Sequence, residues 1–169
     1  MINGLLGASL PRDHAYGFIK LGRLIECADM TTRIMDVGAG DIMERAGRFG
    51  AIDPLLWGAL LQALSAAAAY RREVGPIVEK DAALNFIFLS ATFPRSIKYF
   101  VRETRKELMR LSNHDVAIRA NERLRRRLSR LDAQHLTSDE LHHYIDDFQL
   151  QLSSLDAAIH ATWFSLEGS

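Results

Sequence analysis

The chain has 169 residues, 48% of them hydrophobic and 25% charged, which is the composition of a single folded globular domain. Its 21 basic and 21 acidic residues cancel, so it lacks the excess positive charge that is typical of nucleic-acid-binding proteins. A single cysteine, Cys27, excludes an intramolecular disulfide and a metal site built from several cysteines.

Helical signals recur along the whole chain, and no pair of strand signals accompanies them. At Asp53-Pro54 an N-cap residue precedes a proline in the first helical turn. Thr137 and Glu140 have the spacing of a capping box before the last periodic run. The pattern predicts an all-α protein, an antiparallel bundle of about six helices with no sheet. The expected helices are 11–37, 54–73, 77–89, 94–111, 114–132 and 138–165.

The segment 38–52 interrupts this pattern, because it has four glycines and no clean period. It indicates a flexible or partly helical connection. The longest apolar run, 54–70, contains polar residues and falls short of a membrane span. The first ten residues lack the basic segment of a signal peptide. We therefore expect one helical domain over residues 1–169, in the cytoplasm and without a membrane segment.

The first predicted helix carries charges of both signs on an otherwise apolar surface. At about 100° per residue, Glu26, Asp29, Arg33 and Asp36 share a sector about 80° wide, with Arg23 beside it. In one interpretation, Arg33 bridges the neighbouring carboxylates in exposed ion pairs that add little stability. In the other, the strip faces a ligand or a partner and binds a charged group. Taken alone, this helix favours the ion pairs.

Two further motifs contain candidate binding residues. Arg71 and Arg72 lie near the end of the second predicted helix, where positive charge is favourable. Arg95 and Ser96 follow Pro94 in a predicted first turn, where free backbone N–H groups bind anions. Because the helix dipole opposes an arginine at this position, Arg95 is expected to have a specific partner.

The run 119–131 is rich in arginine but is better explained as a solvated helix surface. Arg123, Arg126, Arg127 and Arg130 lie beside an apolar stripe of leucines. Nucleic-acid binding would require aromatic stacking platforms or a recognised motif nearby, and neither is present. We therefore expect no nucleic-acid partner.

Searches for a metal site and for a nucleophile give no strong candidate. His142 and Asp146 are four residues apart, as are His143 and Asp147, but no second cluster with metal-ligand spacing accompanies them. No G-x-S-x-G motif and no glycine-rich phosphate loop is present. Cys27 falls on the apolar side of its helix, so we expect a small buried residue rather than a nucleophile. No metal and no cofactor are predicted.

Several segments together resemble the bacterial alpha-E domain family, whose pattern is approximately LGR-x-x-ERADMTTRI-x-DV, then L-x-S-x-x-x-x-YRR, then D-x-x-FPRSV. The chain departs from this pattern at Cys27, where the family has arginine, and at Ser90, where it has an acidic residue. The resemblance implies an all-helical domain and covers nearly the whole chain, as the C-terminal half of a typical member. The matching segments are LGRLIECADMTTRIMDV (21–37), LLQALSAAAAYRR (60–72), FIFLSATFPRSIKYFV (86–101) and IHATWF (159–164).

The resemblance implies partners rather than a reaction. Alpha-E domains are typically encoded beside, or fused to, a circularly permuted ATP-grasp protein similar to carboxylate–amine ligases and a transglutaminase-like protein. The expected function is an accessory helical domain of a peptide- or amide-forming system. With the resemblance, the three motifs favour a shared internal site that binds a charged ligand or docks the ligase. The candidate residues are Arg23, Glu26, Asp29, Arg33, Asp36, Arg71, Arg95 and Ser96.

Two alternatives remain open at this point. Glu26 acts as a general acid or base in amide or peptide chemistry, tuned by Arg23 and Arg33, or the strip is a structural lattice of an oligomerisation domain. A catalytic glutamate should line a concave pocket, a docking residue should lie on an open surface, and a lattice residue should be buried and paired. If half of the typical domain is missing, an exposed apolar face is expected, which a homodimer would cover.

Overall fold

The computed structural model describes residues 13–45 and 52–165, and within these ranges the backbone forms seven α-helices and no strand. The predicted all-α fold without a sheet is therefore confirmed. None of the described helices combines the length and the apolarity needed to cross a membrane. The helices are α1 (His14–Glu44), α2 (Asp53–Ala63), α3 (Ala67–Glu73), α4 (Lys80–Leu89), α5 (Ile97–Leu108), α6 (Asp115–Leu128) and α7 (Ser138–Trp163).

The 31-residue helix α1 is the central element, about 46 Å long, and packs against α7, α5 and α2. It begins where the Asp13 side chain accepts a hydrogen bond from the Tyr16 backbone N–H at 3.0 Å, as an N-cap does. Its inward side is apolar and its opposite side is left to solvent. The buried residues on the inward side include Leu21, Leu24, Ala28, Met35, Ala39 and Ile42.

Helix α7 presents a continuous apolar stripe to α1 and α6, because its buried residues alternate at spacings of four and three. Phe148 is central to this stripe and packs edge-on against Phe100 of α5, with ring centroids 6.4 Å apart. Buried aromatic residues of this kind contribute about 3–5 kcal/mol each, measured as the cost of replacement by alanine. The stripe consists of Leu141, Ile145, Phe148, Leu152, Leu155 and Ile159.

The predicted connection at 38–52 does not begin at residue 38, because α1 continues through the first two glycines to Glu44. These glycines serve close packing instead of flexibility. A Cβ atom at position 38 would lie 2.7 Å from the Leu60 side chain, and one at position 40 would lie 2.5 Å from the His142 ring. Residues 38–44 are therefore helical, which agrees with a partly helical connection and not with a flexible one, and residues 46–51 lie outside the described part of the chain.

The predicted helix 54–73 is two helices, separated at Ser65, which has a left-handed backbone with φ of 54°. The Ser65 N–H donates to the Gln62 carbonyl at 2.8 Å, and the Ala66 N–H donates to the Leu61 carbonyl at 2.7 Å. This pair of bonds is the Schellman arrangement that ends a helix, here with serine at the position glycine usually occupies.

Two predicted helix starts lie three residues early, since α4 begins at Lys80 and α5 at Ile97. Pro94 and Arg95 therefore belong to the turn before α5 and not to its first turn. The Ser96 N–H donates to the Phe93 carbonyl at 3.0 Å and closes that turn. Arg95 therefore lies directly before the Ser96 N-cap, outside the helix.

Candidate functional site

The strip predicted on the first helix lies mainly on the solvent side of α1. Arg23, Glu26 and Arg33 are exposed, and so is Cys27, which corrects the expectation that this thiol is buried. Neither Arg23 nor Glu26 forms an ion pair or a side-chain hydrogen bond with any part of the chain that the structure describes. Glu26 therefore lies on an open helix surface with a free carboxylate.

Arg33 and Asp29 form the local ion pair that the spacing predicted. The Arg33 Nε donates to the Asp29 carboxylate at 2.7 Å, one helical turn away. This hydrogen bond and the charge of Asp29 raise the pKa of Arg33 above its usual value. Within 13–45 and 52–165, Arg33 reaches no other carboxylate, so it does not bridge the remaining acids of the strip.

Asp36 points to a different helix. Its carboxylate lies 2.6 Å from the His142 Nδ1 of α7, and both side chains are about one third exposed. One turn further along α1, the Ser138 hydroxyl donates to the Gly40 carbonyl at 3.3 Å. Asp36 thus joins α1 to the beginning of α7, where Gly40 leaves room for the His142 ring.

The FPRS motif forms the turn that precedes α5. Ser96 is fully buried, accepts a hydrogen bond from the Tyr99 N–H at 3.0 Å and donates to the Ser90 carbonyl at 2.5 Å. It is the N-cap of α5 and has no free group for a ligand. The Arg95 guanidinium donates to the Leu64 carbonyl at 3.2 Å, and the Arg95 carbonyl accepts from Thr31 of α1 at 3.2 Å. The specific partner expected for Arg95 is therefore the carbonyl end of α2.

Arg71 is exposed near the end of α3 and makes no ion pair within the described ranges. The three motifs are linked only in part, because Thr31 and Arg95 join α1 to the turn before α5. Arg23, Glu26 and Arg33 face outward, whereas Ser96 is buried in a capping role. Among the described residues the three motifs do not converge on a single internal site.

Sequence reasoning missed a buried ionic cluster between α1 and α5. The Lys20 Nζ lies 2.6 Å from Glu107 and 3.8 Å from Glu103, whose exposed fractions are 3% and 8%. Burial alone would raise the pKa of Glu103, but hydrogen bonds from Lys106 and Arg102 outweigh burial and lower it. A buried and paired ionic lattice, of the kind considered for Glu26, is therefore present. It lies between α1 and α5 and does not include Glu26. Its sequence signal was a pair of glutamates one turn apart on a strongly amphipathic helix.

A second contact that the sequence did not reveal fixes the end of α3. The Glu73 carboxylate accepts hydrogen bonds from the Ser90 hydroxyl at 2.9 Å and from the Thr92 hydroxyl at 2.6 Å. Ser90 also accepts from the Phe93 N–H at 3.1 Å. An acidic residue at position 90, as in the alpha-E pattern, would place two carboxylates together here. Serine at position 90 instead donates a hydrogen bond to Glu73 and avoids this repulsion.

No group of three or more His, Cys, Asp or Glu side chains within 13–45 and 52–165 has an arrangement that could hold a metal ion. His142 is paired with Asp36, and the His135 ring lies 2.8 Å from Asp132. Each of these two histidines contacts a single aspartate.

The fold and these contacts define an all-helical domain whose buried charges are paired and whose charged motif on α1 faces solvent. The chain belongs to the Alpha-E family, described as a predicted alpha-helical domain with a conserved ER motif, and the family model matches residues 1–164. The resemblance seen in the sequence is therefore confirmed. At the position that the resemblance assigns to the Glu-Arg pair, this chain has Glu26 and Cys27. No curated protein and no solved structure matches the chain.

Proposed function

We propose that this protein is an accessory domain that docks onto an ATP-grasp ligase-like protein of a peptide- or amide-forming system. Docking uses the outer face of α1, defined by Ile19, Arg23, Glu26, Met30 and Val37, which share a sector about 60° wide. The observation that carries the proposal is the exposure of Glu26 among exposed apolar side chains. Val37 is 74% exposed and Met30 is 52% exposed.

The composition of the outer face supports binding to a protein. Apolar side chains that are exposed together on one side of a helix are typical of interaction surfaces. Methionine and arginine are enriched in protein interfaces, where arginine supplies both apolar area and directed hydrogen bonds. Arg23 and Glu26 give the face one charge of each sign, so a partner with the complementary pair would be favoured in register and orientation.

Catalysis by Glu26 has less support from the geometry. A general acid or base works on a substrate held in a concave, partly dry pocket. Glu26 is exposed and is absent from the walls of the four main clefts of the described residues. A lattice role has less support too, because Glu26 is unpaired there and the buried ionic cluster lies at Lys20, Glu103 and Glu107.

The choice of partner rests on family context. Alpha-E domains are typically encoded beside ATP-grasp and transglutaminase-like proteins, and the ATP-grasp protein is the one resembling an amide-forming enzyme. The transglutaminase-like protein and a second copy of this chain are the competing occupants of the outer face. The experiment below separates the three.

The test is co-purification of the full chain with an ATP-grasp-like protein from the same genome, followed by titration of the purified pair. We expect Glu26→Lys and Met30→Asp each to weaken binding at least tenfold, equivalent to about 1.4 kcal/mol. Leu150→Asp is the matched control, because Leu150 is an exposed apolar residue on α7. Its affinity should equal that of the parent protein.

Unchanged affinity in a folded Glu26→Lys/Met30→Asp double variant would refute docking through this face. Binding to the transglutaminase-like protein alone would refute the choice of partner. Light scattering of the chain by itself tests the third possible occupant, a second copy of the chain. A dimer that Met30→Asp dissociates would assign the outer face to self-association instead.

A further inference from the structure

A cleft of about 840 Å³ separates the C-terminal half of α6 from the first half of α7. Three arginines of α6 and one in the turn that follows it line the cleft, and they recur at spacings of three and four residues, which puts them on one side over about 10 Å. No residue of α1 lines the cleft, so it is separate from the outer face. The four are Arg123, Arg126, Arg127 and Arg130.

Three of these four arginines lack an ion-pair partner of the kind found elsewhere on the same helix. Arg125, on the opposite side of α6, is ion-paired with Glu122. Within the described ranges, Arg123, Arg126 and Arg130 form no ion pair, and Arg127 pairs with Asp147 at 2.6 Å. Positive charge is therefore concentrated on the side of α6 that faces the cleft, where three of the four guanidinium groups have no ion-pair partner among the described residues.

The carboxylates at the rim of the cleft are largely engaged by their own neighbours. Asp132 lies 2.8 Å from the His135 ring. Glu140 accepts hydrogen bonds from the Thr137 backbone N–H and hydroxyl, at 2.9 and 2.8 Å, in a capping box. Asp139 lies in the first turn of α7, where the helix dipole stabilises it. Within the described ranges none of these carboxylates forms an ion pair with Arg123, Arg126 or Arg130, which leaves those three guanidinium groups available to an added anion.

The wall of the cleft also holds polar atoms that lack partners. Tyr144 is only 8% exposed, and its buried hydroxyl has no hydrogen-bond partner within the described ranges. The same holds for the Gln151 Oε1 and the Arg127 Nε, and all three residues line the cleft. The Arg127 guanidinium lies over the Tyr144 ring, 4.9 Å from its centroid. Since buried polar groups are normally hydrogen-bonded, this concentration of unpartnered groups points to a ligand.

We propose that this cleft binds a small organic molecule carrying two or more linked phosphate groups. Guanidinium groups bind phosphate oxygens through paired, charge-assisted hydrogen bonds. Four arginines spread over about 10 Å exceed the reach of one phosphate and suit a diphosphate or longer chain. The cleft has the size of a small-molecule site. The Tyr144 hydroxyl and the Gln151 amide supply uncharged hydrogen bonds, and Leu131 and Leu136 supply apolar contact for the organic part.

The test is isothermal titration of the full chain with inorganic pyrophosphate, orthophosphate and citrate at matched ionic strength. Pyrophosphate should bind at least tenfold more tightly than the other two. Arg126→Ala and Arg130→Ala should each weaken pyrophosphate binding at least fivefold. Arg125→Ala is the control, because it removes the same charge from the opposite side of α6 and should leave the affinity within twofold.

Tyr144→Phe gives a second, independent readout. Because the buried hydroxyl has no partner among the described residues, its removal should leave the thermal midpoint equal or higher, while it should weaken pyrophosphate binding at least threefold. Equal affinity for citrate would overturn the preference for phosphate. An absence of binding, or equal losses in Arg125→Ala and Arg126→Ala, would overturn the site itself.

Discussion

Replacing Lys20 by methionine removes the cation that joins α1 to two buried carboxylates of α5. Glu107 would keep only Arg110, at 3.4 Å, whereas Glu103 would keep Arg102 and Lys106. Removing one partner of a buried ion pair costs about 3–5 kcal/mol. The remaining cations and the one-third exposure of the Lys20 side chain reduce this to about 2–3 kcal/mol. For a protein of this size the thermal midpoint should fall by about 5–10 °C.

The measurement is urea unfolding followed by circular dichroism at pH 7. Lys98→Met is the matched control, since Lys98 is exposed on the same helix as the glutamates, and it should change stability by less than about 0.5 kcal/mol. Glu107→Gln added to Lys20→Met should recover at least half of the loss, because no charged carboxylate then lacks its partner. A loss below about 1 kcal/mol, or a double variant less stable than Lys20→Met, would refute the reasoning.

Three more predictions follow from local geometry. Ser65→Gly should stabilise the protein by about 1 kcal/mol in thermal unfolding, because glycine adopts the left-handed backbone without strain; a destabilised variant would contradict this. Gly40→Ala should destabilise by about 1–2 kcal/mol through its clash with His142, yet stabilise by up to about 1 kcal/mol in a His142→Ala background, where only helix propensity acts. The same sign in both backgrounds would count against the clash. The lowered pKa of Glu103 means that its stabilisation is present above its usual value of 4.5 and is lost as pH falls through the folded-state value. Glu103→Gln should therefore flatten the acid side of the stability profile, and an unchanged slope would count against it.

The parts of the fold that local signals control were predictable from the sequence. The capping box at Thr137 and Glu140 forms as expected, and α7 begins at Ser138. Glycine was the misleading signal in α1, because glycines at 38 and 40 admit Leu60 and His142 rather than end the helix. The break at Ser65 has no glycine or proline nearby that would predict the end of a helix. These errors share a cause, since tertiary contacts decided what the backbone does.

The candidate site was predictable in composition but not in orientation. The periodicity of α1 identified the charged strip, and the Arg33–Asp29 pair follows from spacing alone. Periodicity does not say which neighbour a helix face meets, so Asp36 was not expected to contact His142, which is 106 residues away. The ionic cluster around Lys20 is equally remote in sequence. Arg95 has the specific partner that the sequence predicted, the Leu64 carbonyl. The sequence does not reveal which carbonyl this is, because every residue has one.

The exposure of Cys27 has a practical consequence. It is the single thiol of the chain and lies on α1 directly beside Glu26. One maleimide reagent can therefore attach a fluorophore or spin label at this position without prior mutagenesis. One of the two departures from the alpha-E pattern thus provides a labelling site directly beside Glu26, the residue on which the docking hypothesis depends.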